Sequence, residues 1–91
     1  MKYLIAFDIS NNKRRAAVVR QCIASGYRVQ KSVFEAFLEK ERVADFEESM
    51  HGLINLDTDS VRIYPLDKVA DENIRIVGCG RHIDKSVYKI I

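Results

Sequence analysis

The 91-residue sequence is short of cysteine, histidine and glycine, and each shortage excludes a class of protein. Its two cysteines, Cys22 and Cys79, are too few and too far apart for a metal-binding knuckle, so we expect both to be thiols that serve as small apolar residues. Two cysteines and two histidines also fall short of a zinc site. Four glycines do not form a Gly-rich loop that leads into a helix, which excludes the common phosphate-binding loops.

Long apolar runs are absent too. No stretch approaches the length of a membrane span, and no basic segment precedes an apolar core at the start, so we expect a cytoplasmic protein with no membrane contact. The serines lack the context of a nucleophile elbow, which argues against a hydrolytic triad. Residues 61–64 lack the aromatic, Gly-rich pattern of an RNA-recognition strand, so contact with a phosphate backbone is favoured over base reading.

The composition, with 47% hydrophobic residues, indicates one folded domain whose charge is unevenly distributed. Residues 1–31 hold seven Lys or Arg and one Asp, whereas residues 32–72 hold four bases and eleven acids. The basic N-terminal third suits a phosphate backbone, although a solvated helix face would have the same composition. Its basic residues crowd the start of a predicted helix, where the helix dipole disfavours them, and this favours an external anion.

The organising segment is residues 3–10, in which an apolar run passes directly into Asp8. A strand that is apolar on both faces is typical of the centre of a sheet. Asp8 falls where that strand emerges, and Ser10, Asn11 and Asn12 predict a turn into a helix N-cap. A carboxylate at such a position can carry chemistry. The alternative, an Asp that only caps the next helix or hydrogen-bonds its own turn, stays open on these residues alone.

Hydrophobic spacing predicts the remaining elements. Residues 13–25 predict a helix with an apolar stripe of Ala16, Val19 and Ile23, with Cys22 beside it, and with Gly26 as its C′ residue. Residues 27–38 are β-branched and aromatic and predict two short strands broken near residues 31–32, or one bent strand. The rest is a helix over 39–54, a strand over 59–64 stopped by Pro65, a polar connection over 66–73 and a short strand over 74–77.

This order predicts an α+β protein with the ferredoxin-like β-α-β-β-α-β arrangement, in which two helices lie on one face of an antiparallel sheet. We assign residues 1–80 to this domain and residues 81–91 to a strand-like C-terminal tail. Because the tail ends in an apolar tip, we expect it to pack on a partner subunit, where an extra strand would extend the neighbouring sheet of a two-fold homodimer.

Asp8 by itself provides too few carboxylates to hold Mg²⁺, which takes one or two carboxylates together with waters and phosphate oxygens. A two-fold dimer with Asp8 near its axis would add a second carboxylate by symmetry. Such an ion activates water and stabilises the charge of a phosphodiester. The sequence therefore predicts a magnesium-dependent site that the dimer creates.

Four segments, in this order and at these separations, resemble the small CRISPR-associated adaptation protein, the second of the universal Cas pair. They are residues 3–10 (YLIAFDIS), 13–15 (KRR), 26–35 (GYRVQKSVFE) and 59–66 (DSVRIYPL). The resemblance implies a ferredoxin-like homodimer whose C-terminal strand packs on the partner's sheet and which bridges two dimers of the larger Cas integrase. It also implies insertion of short foreign DNA as CRISPR spacers and, as in some members, metal-dependent cleavage of RNA or DNA.

The resemblance assigns roles to individual residues. Asp8 matches the metal-binding acid and is the implied catalytic residue, and Phe34 matches a position beside the site. Phe7 replaces the tyrosine commonly found before the acid, so any role for that hydroxyl is absent. Either Arg14 or Arg15 matches a family arginine, and Arg28 matches another. Together with the basic patch, this predicts a nucleic-acid surface at Lys13, Arg14, Arg15, Arg20 and Arg28.

Two hypotheses from different classes follow, and they do not exclude each other. The first is a scaffold that holds the DNA backbone in the spacer-acquisition complex, and the second is a Mg²⁺-dependent nuclease that uses paired Asp8 residues. A third is a toxin-like messenger-RNA interferase of the related VapD type. A neighbouring gene for the larger integrase would argue against that toxin, and the absence of a CRISPR array would argue for it.

Overall fold

The computed structural model describes residues 1–84 and confirms the predicted α+β, ferredoxin-like order. The strands form one antiparallel sheet in the order β2-β3-β1-β4, so β1 lies inside the sheet, as its apolar run predicted. Within the described residues, no helix has the length and apolar character needed to cross a membrane. The elements are β1 (Lys2–Asp8), α1 (Asn12–Ser25), β2 (Gly26–Gln30), β3 (Val33–Phe37), a 3-10 turn (Lys40–Arg42), α2 (Val43–Leu53), β4 (Ser60–Leu66) and α3 (Lys68–Glu72).

The hydrophobic core lies between one face of the sheet and helices α1 and α2. Alternate residues of β1, Ile5 and Phe7, are buried in it, because successive side chains of a strand point to opposite faces. The Phe7 ring stacks on Phe34 of β3 with 6.3 Å between the ring centroids. Helix α2 contributes Phe46 and Met50.

Helix α1 packs with a different stripe from the predicted one. Its buried residues are Val18 and Cys22, whereas Ala16 is exposed and Ile23 is 58% exposed. Of the predicted stripe, Val19 alone packs against the core. The predicted stripe is therefore wrong in phase. A helix with apolar residues at several successive positions offers more than one apolar face, and packing against the sheet selects one of them.

Gly26 is needed for close packing rather than for a left-handed conformation. It was predicted as the C′ residue of α1, but it adopts an extended conformation and begins β2. It pairs with Ala36 of β3, and a Cβ at this position would lie 2.6 Å from the carbonyl oxygen of Glu35 and 2.9 Å from Ala36 Cα. Only a residue without a side chain fits between these strands.

The C-terminal half differs from the prediction in three places. Strand β4 continues through Pro65, because β4 is an edge strand, where a proline can be accommodated. The connection predicted over residues 66–73 contains helix α3, whose N-cap is Asp67; the Asp67 side chain accepts a hydrogen bond from the Ala70 N–H. Residues 74–77, predicted as a strand, form none. The predicted tail falls mainly on residues 85–91, which lie outside the described residues.

The two ends of β1 differ in their pairing. At one end Lys2 pairs with Phe37 of β3, and we call this the Lys2 end of the sheet. At the other end Asp8 pairs with Ser60 of β4, and we call this the Asp8 end.

A buried ionic cluster lies at the Lys2 end. Lys2 Nζ is 2.8 Å from Glu35 Oε1 and 2.5 Å from Asp71 Oδ1, and it donates a hydrogen bond to the carbonyl oxygen of Ile83. Burial by itself would lower the pKa of Lys2, but hydrogen bonds to Asp71 and Glu35 outweigh it and raise that pKa above its usual value. The cluster keeps Lys2 charged and joins three elements and the buried Ile83 of the tail.

Candidate functional site

Asp8 is the last residue of β1, and its side chain is exposed at the Asp8 end of the sheet. Because Phe7 points into the core, strand alternation places Asp8 on the opposite face from the helices. Within residues 1–84 its carboxylate makes no hydrogen bond and no ion pair. The alternative that Asp8 caps the next helix is wrong, because the N-cap of α1 is Asn11, whose side chain accepts a hydrogen bond from Arg14 N–H.

Arg14 is held by an acid in the turn that precedes β4, 45 residues away along the chain. Its Nε donates to Asp59 Oδ2 at 2.7 Å, and Nη2 lies 3.4 Å from Asp59 Oδ1. The Asp59 carboxylate, which is fully buried, also accepts hydrogen bonds from the Asn55 N–H and the Thr58 hydroxyl. The hydrogen bond from Arg14, followed by that from Asn55, lowers the pKa of Asp59 to about 2. This pair ties α1 to the residue before β4.

Arg15 braces the loop that follows Asp8. Its Nη1 donates to the carbonyl oxygens of Ile9 at 2.9 Å and Ser10 at 3.2 Å, and its Nη2 donates to Asn12 Oδ1. These bonds fix the backbone between the end of β1 and the start of α1. Arg15 therefore positions the segment that carries Asp8, and this use of its N–H groups competes with the predicted contact to nucleic acid.

Arg28 and Phe34 lie apart from Asp8. Phe34 is fully buried in the core, and the Arg28 guanidinium lies 5.6 Å from the centre of its ring while donating to the Lys31 carbonyl oxygen. Strand β2, which carries Arg28, is separated from β1 by β3, a distance of about 10 Å. Phe34 therefore supports Arg28 from within the core, and the structure does not bring either residue to Asp8 of the same chain.

Lys13 and Arg20 are the two predicted contacts whose side chains are exposed on α1 and have no hydrogen bond or ion pair within residues 1–84. Their spacing of seven residues places them on nearly the same side of the helix, about 10 Å apart along its axis. Within residues 1–84, the predicted set thus divides into two cations without a partner and three arginines with partners in their own chain.

Within residues 1–84, Asp8 is a lone carboxylate and does not form a complete metal site. Among residues 1–84 no group of three or more His, Cys, Asp or Glu side chains is arranged to hold a metal ion. The donor type at Asp8 is right, since Mg²⁺ prefers carboxylate oxygens and keeps several waters. One carboxylate is too few ligands, however, so the other oxygens around a Mg²⁺ ion would have to come from water, from a substrate phosphate or from a second chain.

Asp59 is the residue that sequence reasoning missed. It was predicted only as the start of a strand, and its turn, with Asn55 and Thr58, carries a local signal for side-chain hydrogen bonding. Its pairing with Arg14, however, spans 45 residues, and no spacing rule connects two positions that far apart.

Comparison with known proteins identifies the family. The family model for CRISPR associated protein Cas2 matches residues 1–74. The CRISPR-associated endoribonuclease Cas2 3 of Chloroflexus aurantiacus is 38% identical over 77 residues, which span 85% of this chain and 83% of the relative. The structure of Streptococcus pyogenes Cas2 is similar with a TM-score of 0.77 and 30% identity, over 86% of this chain and 100% of that one.

A chain in a partial Cas6-RT-Cas1–Cas2 complex is similar as well, with a TM-score of 0.71 and 34% identity, over 84% of this chain and 89% of that one. The range that the family model matches includes all four segments on which the resemblance rested, residues 3–10, 13–15, 26–35 and 59–66. The chain belongs to the CRISPR-associated Cas2 family.

Proposed function

We propose that this chain is a CRISPR adaptation protein that works as a homodimer, binds nucleic acid and joins the larger Cas integrase. One observation carries the proposal. Asp8 is exposed at the end of an interior strand, without a partner in residues 1–84, in a chain that matches the Cas2 family model over residues 1–74. An exposed carboxylate with no structural partner, held on a rigid strand and followed by a braced loop, is suited to binding a ligand.

Two findings support the partner and the substrate class. A similar chain was solved in a partial Cas6-RT-Cas1–Cas2 complex, which supports the larger integrase as the partner of this chain. The similar protein of Chloroflexus aurantiacus is named an endoribonuclease, which supports cleavage of a phosphodiester. The match to Cas2 also favours adaptation over the VapD-type interferase.

The chain's own residues would divide the work on a phosphodiester. Asp8 of each subunit would contribute carboxylate oxygens to one Mg²⁺ near the dimer axis. When bound there, Mg²⁺ supplies charge stabilisation and an activated water. Lys13 and Arg20 would contact the phosphate backbone through their exposed cations, and Arg15 would hold the loop after Asp8 so that its carboxylate keeps its position.

The scaffold and nuclease functions separate at Asp8. For the purified full-length chain we expect Asp8→Ala to lower Mg²⁺-dependent cleavage of labelled single-stranded RNA and double-stranded DNA about a hundredfold. The same variant, mixed with the larger integrase, should still support spacer integration, because the scaffold needs no metal. Asp57→Ala is the matched control, since Asp57 is an exposed acid in the turn before β4.

Each outcome bears on one function. Cleavage that persists in Asp8→Ala at the wild-type rate would remove the nuclease assignment. A wild-type chain that cleaves but does not support integration with the larger integrase would remove the scaffold assignment. A wild-type chain that neither cleaves nor supports integration would contradict the proposed function as a whole. A comparable loss in Asp57→Ala would point to a general change of surface charge rather than to metal binding.

A further inference from the structure

Asp59 is a buried carboxylate placed beside the candidate site. It directly precedes Ser60, the residue that pairs with Asp8 across β1 and β4. Its side chain has no exposed surface, and it accepts hydrogen bonds from the Asn55 N–H at 3.0 Å and the Thr58 hydroxyl at 3.1 Å. The Asp59 N–H also donates to the Asn55 carbonyl oxygen at 2.8 Å. Asp59 is therefore fixed in place by its own turn, independently of Arg14.

Asp59 contacts only one edge of the Arg14 guanidinium group. Asp59 accepts from Nε and lies near Nη2, which occupies one edge of the guanidinium group. The Arg14 side chain keeps 32% of its surface exposed, and its Nη1 makes no hydrogen bond within residues 1–84. A guanidinium group has five N–H donors, and a free edge of the fork matches two phosphate oxygens.

We infer that Asp59 is a positioning residue that aims the free edge of Arg14 at a nucleic-acid phosphate at the Asp8 end of the sheet. The inference rests on the proposed function, because it requires the chain to bind nucleic acid. An arginine held at one edge by a rigid acid gives up little side-chain freedom when its other edge meets a phosphate. The predicted contact at Arg14 thus depends on a residue 45 positions away.

Two effects of Asp59 on binding have opposite signs, and this makes the inference testable. The negative charge of Asp59 repels a phosphate, so removing that charge tightens binding if charge is all that matters. Holding Arg14 in place favours binding, so removing the acid weakens binding if position matters. The first effect is present whether or not position 14 is arginine, whereas the second requires Arg14.

A double-mutant cycle on nucleic-acid affinity separates the two effects. The dissociation constant of a fluorescein-labelled duplex and of a labelled single strand is measured by anisotropy for the wild type, Asp59→Asn, Arg14→Gln and the double variant, using the full chain. We expect Arg14→Gln to weaken binding about tenfold, the effect of one charge-assisted hydrogen bond. Asp59→Asn should weaken it in the wild-type background but leave it unchanged or tighter in the Arg14→Gln background.

The matched control is Asp57→Asn, which removes the same charge from the same turn at an exposed position. We expect it to leave binding unchanged or slightly tighter in both backgrounds. Equal effects of Asp59→Asn in the two backgrounds would overturn the inference while the proposed function stood. A wild-type chain without measurable affinity for either probe would overturn the proposed nucleic-acid binding, and the inference with it.

A second variant covers the case in which Asp59→Asn fails to fold, which a thermal melt detects. Arg14→Lys keeps the positive charge but lacks the fork that Asp59 holds. We expect it to lose most of the affinity that Arg14→Gln loses. A lysine variant that binds as tightly as the wild type would overturn the inference, because a point charge would then replace an aimed guanidinium group.

Discussion

The two ends of β1 carry charges in opposite environments. At the Lys2 end, a side chain that is 3% exposed is paired with Glu35 and Asp71 and bonded to the tail. At the Asp8 end, an exposed carboxylate has no partner among residues 1–84. A charge removed from water must be paired, whereas an exposed charge at the end of a rigid strand has no such constraint. The first arrangement serves the fold, and the second is available to a ligand.

The largest expected contrast in stability comes from removing the charge at each end. Lys2→Met leaves Glu35 and Asp71 without their shared cation, so we expect the free energy of unfolding to fall by about 3 kcal/mol. Asp8→Asn should change it by less than about 0.5 kcal/mol, as at an ordinary surface position. Urea denaturation at pH 7 measures both. Equal losses for the two variants would mean that Asp8 has a structural role.

A smaller effect is expected from backbone packing near the Lys2 end. Gly26→Ala places a Cβ 2.6 Å from the Glu35 carbonyl oxygen, so the strands must separate, and we expect a loss of about 2 kcal/mol. Gly52→Ala is the matched control, because a Cβ at Gly52 has no atom within 4 Å and lies in helix α2. It should stabilise the protein by about 0.5 kcal/mol. Thermal unfolding distinguishes the two, and a neutral Gly26→Ala would contradict the close approach of β2 and β3.

The smallest effect concerns acid sensitivity at the Asp8 end. The bond from Arg14 lowers the pKa of Asp59 from 3.8 to about 2 in the folded chain. A group whose pKa is lower in the folded state stabilises it above pH 4, and this contribution is lost as the pH falls from about 4 toward 2. We therefore expect the melting temperature of Asp59→Asn to fall less between pH 4 and pH 2.5 than that of the wild type. Melting temperatures at pH 7, 4 and 2.5 test this.

Asp57→Asn serves as the control for that series. Asp57 is exposed in the same turn, so its substitution should leave the acid sensitivity of the wild type in place.

Asp71, at the Lys2 end, also contributes to the dependence of the melting temperature on pH. Burial raises the pKa of Asp71, but the hydrogen bond from Lys2 and then that from His82 outweigh it and lower the pKa overall. If Asp59→Asn lost melting temperature at low pH as the wild type does, the acid sensitivity would come from the Lys2 end rather than from Asp59.

Much of the fold could be predicted from local patterns. The apolar run of residues 3–7 identified an interior strand, and the predicted helix over residues 13–25 matches α1 to within one residue. The break near residues 31–32 separates β2 from β3 as expected. These succeed because strand and helix formation follow from neighbouring residues, whose spacing of apolar side chains is visible in one sequence.

Predictions failed where distant segments decide the outcome. The buried stripe of α1 was misplaced, since the choice between Val18 and Ile23 is made by the sheet against which the helix packs. Residues 74–77 have the apolar composition of a strand but form none within the described chain, because a strand also requires a neighbour with which to pair. The predicted packing of the tail on a partner stays a prediction.

The sequence by itself determined the order of the elements, the interior position of β1, the placement of Asp8 at its end and the resemblance to the family. Only the tertiary structure decided which charges are available. Among the predicted basic contacts it pairs Arg14 with Asp59 and uses Arg15 to brace the loop, while Lys13 and Arg20 stay exposed. The physical reason is that side-chain partners are set by proximity in the folded chain, and residues that are 45 positions apart become neighbours only after the sheet has formed.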